Sequence, residues 1–115
     1  MAQIRLKRAY DPPSPDDGTR VLVDRLWPRG LKRDAAKLEV WLKDVAPSAE
    51  LRRWFGHDPA RWAEFQRRYR AELANNSQVV ATLRDLMKSR EALTLLFAAK
   101  DPEHNNAAVL RDFLA

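Results

Sequence analysis

Asp24, Arg25 and Arg29 follow the apolar run Val21-Leu22-Val23, and Lys100 and Asp101 follow a second apolar run, residues 93–99. Guanidinium groups offer forked donors that match phosphate or carboxylate oxygens, and ammonium groups add point charge. If the two runs are strands ending on one side of a sheet, Arg25, Arg29 and Lys100 would grip a small anionic ligand and Asp24 would orient them. Lys43 would join this group if residues 39–44 form a strand, and Arg8 with Tyr10 would do so if the first strand runs parallel to the second. The competing account is an ion-pair network in which Arg25 and Lys100 neutralise Asp24, Asp44 and Asp101 and order the loops without doing chemistry.

Trp27, in Trp27-Pro28-Arg29-Gly30, would give such a pocket an aromatic wall beside a cation, unless it is spent on core packing. His57 is the first candidate for a general acid or base, with Asp24 beside it and His104 as the other histidine. Their alternative roles are surface or capping positions. Magnesium at Asp24, Asp101 and a histidine is opposed by the surrounding arginines, so no metal is expected. Gly-x-Ser-x-Gly, Walker A, Gly-x-Gly-x-x-Gly and His-Glu-x-x-His patterns are all absent, and no feature points to a particular cofactor. A second functional reading is a phosphate-tracking face for nucleic acid built from Arg52, Arg53, Arg61, Arg67, Arg68 and Arg70, although Glu64 and Glu72 interrupt it. A third is a protein-interaction module docking through exposed tryptophans.

The elements that must position these groups can be read from periodicity. Residues 4–8 alternate apolar and basic, the pattern of a strand with one buried face. Asp11-Pro12-Pro13-Ser14-Pro15-Asp16-Asp17-Gly18 must be a loop. Residues 20–26 read as a strand buried on both faces, ended by Pro28 and Gly30, and residues 32–39 as a weakly helical connection. Residues 39–44 suit either a short strand or a loop. Ser48 caps a helix carrying Leu51, Trp54 and Phe55 on one side. Asp58-Pro59 starts the next, with Trp62, Phe65, Tyr69 and Leu73 at helical spacing as far as Asn75-Asn76. A further helix covers residues 78–90. Residues 93–99 form an uninterrupted apolar run expected to be a central buried strand, and Asp101-Pro102 repeats the cap-plus-proline start before Val109, Leu110, Phe113 and Leu114.

Strands separated by helices predict an α/β fold: a small, mainly parallel sheet of three to four strands covered by helices, in a single domain over residues 1–115. The short connection at residues 9–19 leaves an antiparallel pairing of the first two strands as an alternative. The length of 115 residues and an apolar content of 45% fit one core. The net charge of +5 favours acidic partners, and the lack of cysteine excludes thiol chemistry, zinc thiolates and disulfides. No run approaches the roughly 18 apolar residues of a membrane span and no secretory signal precedes the first strand, so a cytoplasmic protein without membrane association is expected. No feature sets an oligomeric state.

The block Asp17-Gly18-Thr19-Arg20-Val21-Leu22-Val23-Asp24-Arg25-Leu26-Trp27-Pro28-Arg29-Gly30 resembles the signature of the YeaO-like family, bacterial proteins classed as a domain of unknown function. The resemblance extends through Trp41-Leu42-Lys43-Asp44, Ala46-Pro47-Ser48, Leu51-Arg52-Arg53-Trp54-Phe55, residues 65–73, residues 93–101 and Asn105-Asn106-Ala107, covering nearly the whole chain. It implies a small α/β protein and supplies no catalytic residues for these positions.

Overall fold

A computed structural model describes residues 3–115. Four strands, β1 (Gln3–Arg8), β2 (Thr19–Leu22), β3 (Val40–Trp41) and β4 (Ala92–Phe97), form one sheet in the order β1-β4-β2-β3, with every pairing parallel. The longest apolar run therefore takes the central position, where both faces of a strand are covered and alternation is not required. Pairing continues past the ends of β2, because the amide of Val23 donates to Leu96 O and that of Leu42 to Leu22 O.

One face of the sheet presents Val21, Val23, Leu93, Leu95 and Phe97 to the main core. Covering it are α2 (Ala49–Phe55), α3 (Trp62–Ala74), α4 (Ser77–Ser89) and α5 (Asn106–Leu114), which contribute Phe55, Phe65, Tyr69, Leu83 and Leu110 among others. The opposite face carries Leu22 and Leu96 under Trp27, Leu31, Leu38 and Trp41, in a layer that includes the one-turn helix α1 (Arg33–Ala36).

Toward the start of the strands this second face turns polar. Arg5 pairs in register with Thr94, Arg20 with Thr94 and Lys7 with Leu96, so their side chains share a side. The loop from β1 to β2 crosses over β4 there and seats the buried Asp17 among them: its carboxylate accepts from Lys7 Nζ at 3.1 Å and from Arg20 NH1 at 2.6 Å, and the Asp17 carbonyl accepts from Thr94 Oγ1 at 2.7 Å. Burial alone would raise the Asp17 pKa, but the Ser14 amide and the two cations outweigh it and hold the carboxyl below its usual range. Gly18 follows at φ 62°, and a Cβ there would lie 2.3 Å from the Ala92 carbonyl oxygen, so the loop can press against β4 only through glycine. These contacts explain how so short a segment makes a parallel crossover with no helix, and the antiparallel alternative does not occur.

Three other sequence expectations shift. The strand expected over residues 20–26 ends at Leu22, and the stretch at residues 39–44 resolves into a two-residue strand followed by a single turn at Lys43–Val45. Asp101-Pro102 does not begin the last helix. Asp101 caps a separate turn by accepting from the amides of Glu103 and His104, and Asn105 caps α5 through the amide of Ala108. By contrast, Asp58 accepts from the Ala60 amide, and the turn Pro59–Arg61 runs directly into α3.

The Asp17 cluster makes a definite prediction. Asp17→Ala leaves the Arg20 guanidinium buried without its counter-charge and should lower the unfolding free energy by about 3–5 kcal/mol, read from urea denaturation at neutral pH. Because the folded pKa of Asp17 is depressed, its stabilisation is present above the ordinary carboxylate range and is lost as pH falls through the folded value. The gap between wild type and variant should therefore shrink on acidification. A gap independent of pH would show that the charge contributes nothing.

Candidate functional site

Beyond the carboxyl ends of β2 and β4 the chain opens into a cavity of about 990 Å³. Its floor is set by Asp24. The Asp24 Oδ2 accepts from the Ala98 amide at 2.9 Å and Oδ1 from Asn106 Nδ2 at 3.1 Å, while the same Nδ2 donates to Val23 O at 3.0 Å. Trp41 Nε1 pins the Asp24 backbone by donating to its carbonyl at 2.7 Å. One carboxylate thus ties the end of β2 to the end of β4 and the first turn of α5. Burial raises its pKa, opposed by the Ala98 and Asn106 hydrogen bonds and by the nearby charges of Arg52 and His57.

The walls come from three directions. Residues 25–29, leaving β2, contribute Arg25, Trp27 and Arg29; residues 98–101, leaving β4, contribute Lys100 and Asp101. Helix α2 contributes Ala49, Arg52, Arg53 and Phe55 at spacings that share one side of a helix. That helix is fixed by α3: Tyr69 donates its hydroxyl hydrogen to Val45 O at 2.6 Å, and Glu72 accepts from both the amide and the hydroxyl of Ser48, the N-cap of α2, at 2.8 and 2.6 Å. A helix whose start is held on the core in this way carries its arginines to a fixed place.

Of the residues singled out from sequence, Asp24, Arg25, Trp27, Arg29, His57 and Lys100 all line this cavity. Arg8 and Lys43 do not. The Arg8 guanidinium donates to the carbonyls of Ala98 and Ala99 at 3.1 and 3.0 Å and packs on Tyr10, whose hydroxyl donates to Arg29 O at 2.8 Å. Arg8 therefore props the rim without facing the interior. Lys43 lies over the Trp41 ring, drawn away because residues 43–45 turn instead of continuing a strand. Trp27 meets Trp41 edge-on at 5.6 Å, carries Arg33 over its ring and donates Nε1 to Leu31 O, so it joins the cavity wall to the second core.

Asp24 does not orient the cations as expected, since both of its oxygens are engaged by neutral donors. Nor does a buried ion-pair network consume them. Arg25 reaches only Asp44, at 3.8 Å on the surface, and Lys100 has no ion pair among the described residues. The Nε groups of Arg25 and Arg52 are buried and have no acceptor among the described residues.

The sequence reading assigned Arg52 and Arg53 to a nucleic-acid face. The signal that would have placed them here is the register of α2, in which Leu51 and Phe55 point to the core and residues 49, 52 and 53 flank them toward the strand ends. Of the two histidines, His57 sits at the mouth with a left-handed backbone, φ 58°. His104 also lines the cavity and is the better anchored: its Nδ1 lies 2.8 Å from Asp101 Oδ2 and its ring stands edge-on to Trp62. Hydrogen bonds from the Glu103 amide and from His104 hold the Asp101 carboxyl below its usual range. Among the described residues no group of three or more histidines and carboxylates is arranged to hold a metal ion, and no helix is long and apolar enough to cross a membrane.

Fold and cavity together define a small parallel α/β protein with a cation-lined cleft at the carboxyl edge of its sheet. Comparison with known proteins narrows this class. A family model described as an inactive DUF488-N3 subclade matches residues 3–115, and the chain belongs to that family. It is 46% identical over 111 residues to the uncharacterized protein YeaO of Escherichia coli strain K12, covering 96% of each chain. It is 45% identical over 112 residues to an uncharacterized protein of Mycobacterium tuberculosis strain H37Rv, covering 97% of this chain and 93% of the relative. The resemblance to YeaO-like proteins of unknown function is thereby established. No solved structure gives a significant match.

The joint at Asp24 can be tested independently of any ligand. Asp24→Ala leaves the Ala98 amide and the Asn106 amide group without their acceptor and should cost about 1–3 kcal/mol in chemical denaturation. Since the folded pKa of Asp24 is raised, its contribution is fully present below the ordinary carboxylate range and declines as pH rises through the folded value. The cost of the substitution should accordingly be greater in acid than at neutral pH, the reverse of the trend at Asp17.

Proposed function

We propose that the cavity at the strand ends binds a small anionic ligand bearing a phosphate or carboxylate group. The observation that carries this reading is the gathering of Arg25, Arg29, Arg52, Arg53 and Lys100 around one cavity, of which only Arg25 forms an ion pair among the described residues, and that one at 3.8 Å. Guanidinium and ammonium groups without a carboxylate partner donate charge-assisted hydrogen bonds to phosphate or carboxylate oxygens, which are shorter and stronger than neutral ones. The description of the family as an inactive subclade accords with a cavity that binds its ligand without turning it over.

The basic residues of α2 and α3 give less support to a nucleic-acid face. Arg67 and Arg68 both bond Glu64, whose carboxyl is lowered to about 2 by those contacts, and Arg61 and Arg68 pack against the Trp54 ring. The series is thereby split between the cavity and a self-paired surface.

Titration of phosphate and sulfate should raise the thermal midpoint of the wild-type protein in a saturable way, as expected for a ligand that binds only the folded state. Arg52→Gln and Arg25→Gln should each weaken the interaction roughly ten- to a hundredfold, the equivalent of one charge-assisted hydrogen bond. Lys88→Gln, remote from the cavity on α4, should leave it unchanged. A stabilisation equal in all four proteins would refute the assignment.

A further inference from the structure

We infer that the ligand is an amphipathic organic anion, with a flat apolar body seated against the inner wall of the cavity and its charged group at the arginines, in preference to a free inorganic oxyanion. This rests on the anion-binding reading and specifies its ligand class.

The first ground is size. A volume of about 990 Å³ lies at the top of the range, about 300–1,000 Å³, in which pockets enclose most of a drug-sized molecule. Two guanidinium groups need only a fraction of that space for a tetrahedral anion. The second ground is the composition of the wall. Phe55 and Phe65 are both cavity residues and stack on one another with centroids 4.3 Å apart and an interplanar angle of 21°. Their side of the cavity is completed by Ala46 and Pro47, both buried. These side chains are already closed to water and give the wall its firm backing, while Leu26 and Tyr10 of the same cavity are exposed, and an apolar group that covers them is favoured in proportion to the area covered.

The third ground is where small residues stand. Residues 93–97 of β4 are all buried and, apart from Thr94, are Leu or Phe; the chain then changes to Ala98 and Ala99 at the point where it enters the cavity. Ala49 has the same character on α2. Ala49, Ala98 and Ala99 thus line the cavity with small side chains that occupy little of its space. Charge and apolar wall are also segregated: Arg29, Arg53 and Lys100 are exposed at the rim, whereas Phe55 and Phe65 are buried within. Such a gradient favours a molecule with an anionic end and an apolar end over an ion that is polar all round.

Isothermal titration of the wild-type protein with matched pairs tests this directly. Phenyl phosphate is compared with methyl phosphate and inorganic phosphate, benzoate with acetate, and phenol serves as the uncharged control. The expected result is that an aryl member binds at least tenfold tighter than its methyl counterpart, about 1.4 kcal/mol, that phenol binds more weakly than either aryl anion, and that Arg52→Gln reduces the aryl anions toward the level of phenol. The better of the two aryl anions identifies the head group as phosphate or carboxylate. If methyl and aryl anions bind equally, the amphipathic class is overturned while anion binding stands. If phenol binds as tightly as the aryl anions, the charged end contributes nothing and the inference fails. If none of the six compounds binds, both this inference and the anion-binding reading are overturned.

Discussion

The geometry of the strand ends depends on the carboxylate of Asp24. In a parallel sheet each strand must be left by a loop that returns over one face, so neighbouring chain ends diverge where the ladder stops. Here β2 and β4 part after Val23 and Phe97, and Asp24 spans the gap to the Ala98 amide and to Asn106 at the head of α5. With Asn106 also reaching Val23 O, three segments of chain meet at two side chains. Burying a carboxylate is costly unless its oxygens are satisfied, and here burial raises the pKa despite the hydrogen bonds from Ala98 and Asn106 that oppose it. Because these partners are neutral, the joint closes the floor of the cavity without drawing on the cations around it.

This separation of structural acid from free base recurs in how the arginines are distributed. Arg20 is paired with Asp17 inside the sheet layer, Arg90 bridges Glu39 and Thr19, and Arg67 and Arg68 share Glu64. Around one opening stand Arg25, Arg29, Arg52, Arg53 and Lys100, beside Asp24 and Asp101, which are already engaged by backbone amides and by Asn106 or His104.

Much of this was legible from the chain itself. The central strand showed as an apolar run, α3 as a capped stripe, and the meeting of residues 24–29 with Lys100 followed from the rule that parallel strands end on one side. What could not be read was tertiary. The order β1-β4-β2-β3 depends on a crossover made feasible by a buried Asp17 and a glycine pressed on Ala92, and neither the burial nor the contact has a local signature. Asp101-Pro102 carries the same letters as Asp58-Pro59 and yet caps only a turn, because Asn105, four residues later, takes the helix start and is buried there. Arg52 was grouped with the arginines of the following helix as a nucleic-acid face, and only the docking of α2 by Tyr69 and Glu72 turns that side toward the strand ends.

An unpaired buried donor is not sufficient evidence of a ligand, and the protein contains its own control. Arg20 NH2 is as unsatisfied as the Nε groups of Arg25 and Arg52. Its surroundings differ, however. Arg20 is engaged on both other nitrogens, by Ala36 O at 2.9 Å and by Asp17 at 2.6 Å, and it lies in the sheet layer away from the cavity, where the deficit is the residual cost of a geometry fixed by stronger partners. Arg25 has only a long surface contact, and Arg52 approaches Asp24 by charge alone, with no hydrogen bond between them. Both border an opening large enough to admit an acceptor. The buried deficit is therefore the same by-product of folding at all three, and what sets Arg25 and Arg52 apart is that their side chains line the cavity, where the rest of each guanidinium can meet an acceptor.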